Sequence, residues 1–277
     1  MQSLLVFQSL WAMERRHTDG YERPLEDNLK MIKNAGFDGV SYSYENRKVV
    51  EQVSSFIADN NMSAEAMCYP RSIDDLKPIL DNAAEFGARH VTLQADIRPY
   101  TLQECIPIIE GWKRLEDEYN IPVYIETHRN RMTTDLYFTL HLLEAFPSLK
   151  FTADLSHYLV GREFMWPVSE EDHSYIYKIL DNSLSFHGRV ASREQIQIEI
   201  SFPHHKKWVD LFMMWWSYGF KSWKSRADKN DSLIFTCEIG PNPYAITGPD
   251  GNDLTDRWED SLIMKRMVKH LWDTLDC

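Results

Sequence analysis

No window of the chain approaches the ~20 consecutive apolar residues needed to cross a bilayer, so no segment reads as a membrane span. The four cysteines, Cys68, Cys105, Cys237 and Cys277, show no CxxC spacing. That argues against a thiolate zinc site or a disulfide framework and favours reduced thiols in a cytoplasmic protein. Positive charge is scarce: 30 Lys and Arg face 42 Asp and Glu, a formal charge of −12. A nucleic-acid surface normally carries a basic stripe, so that class of partner is not expected. No Gly/Ser-rich or Pro-rich linker and no low-complexity run divides the 277 residues, and a single domain over 1–277 is expected. The opening MQSLLVFQSLWAMERR has an apolar run without a basic leader and reads as a first strand rather than a signal peptide.

What the chain does contain is a beat. Short β-rich runs recur as LLVFQSL (4–10), FDGVSYS (37–43), SAEAMCY (63–69), HVTLQAD (90–96), VYIETH (123–128), KFTADLSH (150–157), SLSFHGR (183–189) and LIFTCEI (233–239). Helical patterns separate them. Leu25, Leu29 and Ile32 share a face that stops at Gly36, and the pairs Thr101/Glu104 and Ser169/Asp172 have capping-box spacing. Eight strands alternating with helices in under 280 residues predict a (β/α)8 TIM barrel, an α/β fold. The seventh and eighth strands are separated by an unusually aromatic segment containing MMWW at 213–216. It reads either as a long outer helix packed on the barrel or as a lid or homodimer contact.

In such a barrel the site lies at the C-terminal ends of the strands. Strand five ends in Glu126 and His128, strand six in Asp154 with Ser156 and His157, strand seven in His187 and Arg189, and strand eight in Glu238. Three carboxylates converging alone would repel one another, and a divalent ion resolves the conflict. Glu126, Asp154, His187 and Glu238 form an oxygen-rich set with one imidazole, suited to Mn²⁺, Mg²⁺ or Co²⁺ and acceptable to Zn²⁺. The alternative is carboxylates paired with Arg129, Arg131 or Arg189.

These residues resemble the xylose isomerase-like TIM-barrel superfamily of sugar isomerases and epimerases, and by strand order the resemblance spans essentially the whole chain. In its ketose 3-epimerase branch, a Glu on strand five matches Glu126, the DxxH of strand six matches DLSH, the strand-seven His with an Arg six residues later matches HGRVASR, and the strand-eight Glu matches Glu238. The resemblance implies metal ligation by Glu126, Asp154, His187 and Glu238, acid/base roles for Glu126 and Glu238, and substrate contacts from His157 and Arg193. ETHRNR and HGRVASREQIQ depart from that branch. They are more similar to sugar phosphate isomerase-like proteins with an HxR motif and a downstream Trp-rich helix.

The expected chemistry is isomerisation or epimerisation of a sugar or sugar phosphate, by proton transfer through a metal-stabilised enediolate. His128 is a candidate substrate contact or a partner of the ligands. Arg129 and Arg131 read equally as solvated loop charges or as contacts to a phosphate or carboxylate. Arg189 is a further candidate substrate contact, and Gln94, at the end of strand four, could bond substrate or a ligand carboxylate. A dehydratase of the sugar-acid, inosose or dehydroshikimate type on the same scaffold is the nearest rival, because removal of the α-proton is shared. A Schiff-base aldolase would need a strand-end Lys, and none of the eight strands has one. A non-catalytic sugar-binding barrel is the remaining alternative.

Overall fold

The computed structural model describes residues 1–275, so Cys277 lies outside the described residues. Eight strands run parallel and close on themselves: β1 (Ser3–Ser9), β2 (Gly39–Ser43), β3 (Ser63–Cys68), β4 (Val91–Leu93), β5 (Val123–Glu126), β6 (Phe151–Ala153), β7 (Ser183–Gly188) and β8 (Ser232–Cys237). Closure is made by β1 and β8, with Leu4 opposite Leu233 and Gln8 opposite Cys237. The helices α1 (Leu25–Asn34), α2 (Arg47–Asp59), α3 (Lys77–Phe86), α4 (Leu102–Tyr119), α5 (Leu136–Ala145), α6 (Ser156–Gly161), α7 (Glu170–Leu180), α8 (Lys206–Arg226) and α9 (Arg257–Asp273) lie between or after them. The (β/α)8 barrel expected from the strand rhythm is therefore present. Among the described residues, no helix is long and apolar enough to cross a membrane.

Local chemistry starts four of these nine helices. Side chains of Asn46, Asp135, Ser169 and Asp256 accept from backbone N–H groups at the starts of α2, α5, α7 and α9. The Ser169/Asp172 pair forms in part: the Ser169 hydroxyl caps the Asp172 N–H as expected, while the Asp172 carboxylate accepts from that hydroxyl rather than from the Ser169 backbone N–H. Its counterpart at α4 forms by half: Thr101 makes no side-chain cap, whereas Glu104 reaches back to the N–H of Tyr100 at 2.9 Å. The aromatic segment resolves into α8, which buries Trp208, Phe212, Trp215, Trp216, Phe220 and Trp223. Trp216 and Phe220 meet Phe235 of β8 edge-on, so the packed-helix reading holds for these side chains.

Alternation along the strands divides the barrel into two environments. Val91 and Leu93, Phe151 and Ala153, and Phe186 and Phe235 belong to the apolar core under the helices. The residues between them are polar and buried: Glu65, Thr92, Thr152, Ser185, His187 and Thr236. Glu65 of β3 connects this interior, accepting from Thr92 and Thr236 hydroxyls at 2.6 Å each and lying 2.9 Å from His187 Nε2 and 3.2 Å from His90 Nε2. A register shift between Phe151 and Thr152 places Ala153 opposite Phe186. Continued one residue, that register sets Asp154 beside His187. Without the shift Asp154 would be level with Phe186, on the wrong alternation.

Candidate active site

Glu126 is the last residue of β5, Asp154 follows β6, His187 is the penultimate residue of β7 and Glu238 follows β8. All four are buried at the C-terminal end of the barrel, with Glu126 and Asp154 fully inaccessible. They do not form one equivalent set. One atom each from Glu126, His187 and Glu238 lie mutually within 4.8 Å, and Asp154 is not in that group. Both Glu126 oxygens and His187 Nδ1 are buried without hydrogen-bond partners. His187 Nδ1 stands 3.5 Å from Glu126 and 3.2 Å from Glu238, outside hydrogen-bonding geometry.

The other ring nitrogen of His187 explains this orientation. Nε2 lies 2.9 Å from Glu65, so in the neutral ring the proton sits there and the Nδ1 lone pair faces two carboxylates. That arrangement is repulsive unless a cation or a proton occupies the space between them. A divalent ion would satisfy the orphaned Glu126 carboxylate and His187 Nδ1 together, and a carboxylate behind a ligating histidine is the usual support for one. The residues present fit such an ion through Glu126, His187 and Glu238.

Asp154 has other partners. Its Oδ1 accepts from the N–H and hydroxyl of Ser156 at 3.0 and 2.5 Å, and its Oδ2 accepts from Arg189 Nε at 3.2 Å. Arg189 also donates through Nη2 to Glu238 at 2.7 Å and through Nη1 to Gln197 at 3.1 Å. Only 2% exposed, Arg189 has its guanidinium 5.4 and 4.6 Å from the ring centres of Trp11 and Tyr244, which themselves meet edge-on at 5.2 Å. Pairing of the carboxylates by an arginine, the alternative in the sequence, is thus realised for two of them, in the interior rather than at the surface. Gly240 allows Trp11 its place here, because a Cβ there would run into the indole ring.

The electrostatics separate the two glutamates. Burial pushes Glu126 up to about 7, and His187 opposes this only in part. Burial acts on Glu238 in the same sense, but His187 and Arg189 outweigh it and hold its carboxyl below the usual range. Glu65 is likewise held well below that range, because His187 and His90 overcome its burial. The carboxylates around His187 in turn outweigh its burial and raise its imidazole well above the ordinary value.

His128 and His157 form a second group with Glu126, again within 4.8 Å, and their rings are 3.9 Å apart. His157 is fully buried, with neither ring nitrogen hydrogen-bonded and Nε2 3.5 Å from Asp154. His128 Nδ1 is fixed on the Arg129 carbonyl at 2.6 Å, which leaves Nε2 facing the Tyr244 hydroxyl at 3.3 Å. Burial lowers His128 to about 4, and both rings are therefore neutral near pH 7.

A cavity of about 530 Å³ opens over this floor, lined among others by Trp11, Tyr69, Gln94, His128, Arg131, Arg189, Glu238 and Tyr244. Gln94 and His128 are thus where a substrate contact would have to be. Arg129 is exposed, its guanidinium 5.1 Å from the centre of the Tyr244 ring. Arg193 points elsewhere: it lies 3.6 Å from Glu163 and 3.5 Å from Glu194 and does not line the cavity. The backbone after β7 turns back so that Ile198 N–H bonds Val190, and it is Gln197, rather than Arg193, that faces Arg189. Glu65, Gln197 and Tyr244 were not singled out in the sequence. An acidic residue between two alanines in SAEAMC was the one available signal for Glu65.

No protein-family model matches the sequence, and no curated protein matches it significantly. Solved structures do match in shape. A xylose isomerase-like TIM barrel protein from Mycobacterium smegmatis, in complex with magnesium, aligns with TM-score 0.63 at 14% identity, covering 98% of this chain and 97% of that one. The probable 3-DHS dehydratase AsbF from Bacillus anthracis, described as involved in petrobactin synthesis, aligns with TM-score 0.61 at 15% identity over 95% and 100% of the two chains. A D-psicose 3-epimerase determined in the presence of D-fructose gives 0.60 at 12% identity over 97% and 99%. Identities this low speak for architecture alone. The chain has the xylose isomerase-like (β/α)8 TIM-barrel fold.

Proposed function

We propose that this barrel is a metal-dependent enzyme that transfers a proton at the carbon beside a carbonyl of a carbohydrate, as an isomerase or epimerase. The observation that carries the reading is the convergence of Glu126 and Glu238 on His187 Nδ1, at 3.5 and 3.2 Å, beneath the cavity. Glu126, His187 and Glu238 would hold the ion. When bound, a divalent cation polarises a carbonyl oxygen and acidifies the adjacent C–H.

The side chains do the rest. Glu126 has no donor on either oxygen and so has lone pairs free to take a proton. Glu238 comes from β8, separated from β5 by β6 and β7, and can return a proton from a different direction. Arg189 fixes one Glu238 oxygen and restricts which way that carboxylate faces. Glu65 keeps the Nδ1 lone pair of His187 directed inward. Trp11 and Tyr244 supply flat walls that suit the apolar face of a sugar ring and narrow the access of water.

A dehydratase is the second reading. It is favoured by His157, whose two unpartnered ring nitrogens stand beside Glu126, where a donor for a departing hydroxyl would be needed. Incubation of the metal-loaded protein in D₂O with ketoses, ketose phosphates and sugar acids separates the two. Deuterium entering at the α-carbon without loss of water supports the isomerase, water loss supports the dehydratase, and neither product from any compound rejects both.

A further inference from the structure

From the loops after β3, β4 and β5 we infer that the substrate carries an anionic end, a carboxylate or a phosphate, which Arg131 binds; this rests on the reading of the cavity as the substrate site. Asp96, just beyond β4, is approached by three guanidiniums: Arg71 Nε at 3.0 Å, Arg98 Nη2 at 2.8 Å and Arg131 Nη1 at 3.2 Å. Asp96 is shared among these three cations, with Asp75 and Glu45 lining the same recess as Arg71 and Arg131. The hydrogen bond from Arg71, followed by those charges, holds Asp96 below the usual carboxylate range, so it stays ionised and is fully committed to them.

The three arginines are not equivalent. Arg71 and Arg98 are 78% and 50% exposed, so water screens them and they act at long range. Arg131 is 18% exposed and lines the cavity. Its Nη1 is held by Asp96 and the Asn130 carbonyl, while its Nε is buried without any partner. A buried guanidinium N–H without an acceptor is costly, and an anionic oxygen in the cavity would complete it.

The cavity also gives the anion a direction. Glu14 and Glu22 line the wall contributed by the segment after β1, where the one cation, Arg23, is already paired with Asp19 at 2.8 Å, so that wall offers an anion less than Arg131 does. Glu238 and Arg189 line the same cavity as Arg131, so one small molecule can engage both ends, with Gln94 and Tyr69 available to its intervening hydroxyls. A volume of about 530 Å³ lies within the range of small-molecule sites. The carbonyl end belongs at Glu126 and Glu238, and the charged end at Arg131.

Binding measured without turnover tests this. Titration calorimetry on the metal-loaded protein would compare a hexuronate, a hexose phosphate and the corresponding neutral hexose. The expected preference for at least one anion over the neutral sugar is about tenfold or more, the scale of one charge-assisted hydrogen bond. The tighter of the two anions identifies carboxylate or phosphate. Arg131→Met removes the preference, Arg131→Lys keeps part of it, and Arg98→Met, outside the cavity, keeps it. Metal content and unfolding midpoint of each variant establish that it is folded. Equal binding of the neutral hexose, or a preference that survives in folded Arg131→Met, overturns the inference. Anion preference without deuterium exchange or water loss would remove the proposed reaction and leave this inference standing. Exchange on neutral hexoses with no anion preference would do the reverse.

Discussion

Arg189 Nη2 donates to Glu238 Oε2 at 2.7 Å, while Nε of the same guanidinium holds Asp154 at 3.2 Å. A permanent cation is therefore built in beside a candidate metal centre, and it divides four acidic and imidazole groups into two sets. Glu238 belongs to both. Glu126 and His187 belong to the side without the arginine, and Asp154 to the side with it.

Replacing Arg189 by Met should expose this division in stability. It would leave Asp154 and Glu238 buried without their cation, and breaking a buried pair in this way costs about 3–5 kcal/mol. Urea unfolding of the metal-free variant should show that loss, and added Mn²⁺ should recover a larger share of it than the same ion stabilises the parent protein. An Arg189→Met chain as stable as the parent without metal would show that the guanidinium is not balancing the carboxylates.

Asp154 and Glu126 should differ as ligands. Glu126→Gln removes one of the three mutually close donors and should abolish stoichiometric binding of a divalent ion. Asp154→Asn, with its Ser156 and Arg189 contacts partly preserved, should change affinity by less than about tenfold, the lower end of what supporting groups contribute. Elemental analysis after dialysis against chelator and reloading distinguishes them. Equal metal loss in both variants would restore Asp154 to the ligand set expected from the sequence.

Glu65→Gln tests the support behind His187. The amide can still accept a hydrogen bond but brings no charge to hold the ring, and its NH₂ must face at least one of four established donors. Metal affinity should fall about 10- to 100-fold, with the stoichiometry at saturation unchanged. Calorimetric titration with Mn²⁺ reads both quantities.

One identifiable part of the pH dependence of the metal-free protein comes from Glu126. Its folded-state carboxyl lies at about 7 against an ordinary 4.5, so between these values the folded chain retains a proton that the unfolded chain has released. Glu126 should therefore contribute less stability as pH rises from about 4.5 to 7, with a slope on the order of 1.4 kcal/mol per unit where the proton difference is complete. His128 and His157, held neutral by burial, contribute in the opposite sense over the same range. His187, raised above its ordinary 6.5, adds a loss of the same sign as that of Glu126 at higher pH. The stability of the parent minus that of Glu126→Gln should carry this slope across the lower window, which urea titrations of both at a series of pH values would show. Metal affinity should rise with pH through the same range, because the ion displaces the proton.

The barrel was legible because the β-rich runs kept their interval and the strand-end positions follow from it. Glu126, Asp154, His187 and Glu238 could be placed at the rim for the same reason. What could not be read was which side chain answers which. Arg189 and Arg193 both follow His187 closely, and only the return of the chain from Val190 to Ile198 decides that Arg189 turns inward while Arg193 meets Glu163. Glu65 was hidden by its position: it sits in mid-strand, far in sequence from every partner except Thr92 and His90, whose separations of 27 and 25 residues already span a whole repeat. The last helix shows the ordinary limit of periodicity. Leu262, Met264, Met267, Leu271 and Trp272 give it an apolar pattern, yet only Met264 of these is enclosed, the other four are covered only in part, and Ser261 and Asp260 take inner positions.

The hub at Glu65 also sets an order of events. Its bonds to His187 and Thr236 bridge 122 and 171 residues. A chain emerging in sequence can lay down β3 and β4 early, yet the imidazole is not steered, nor the last hydroxyl supplied, until β8 has slotted in beside β1. Contacts of such long range form late and slowly. Metal uptake by this protein should consequently act as a stopwatch for barrel closure, starting only when the two ends of the chain have met.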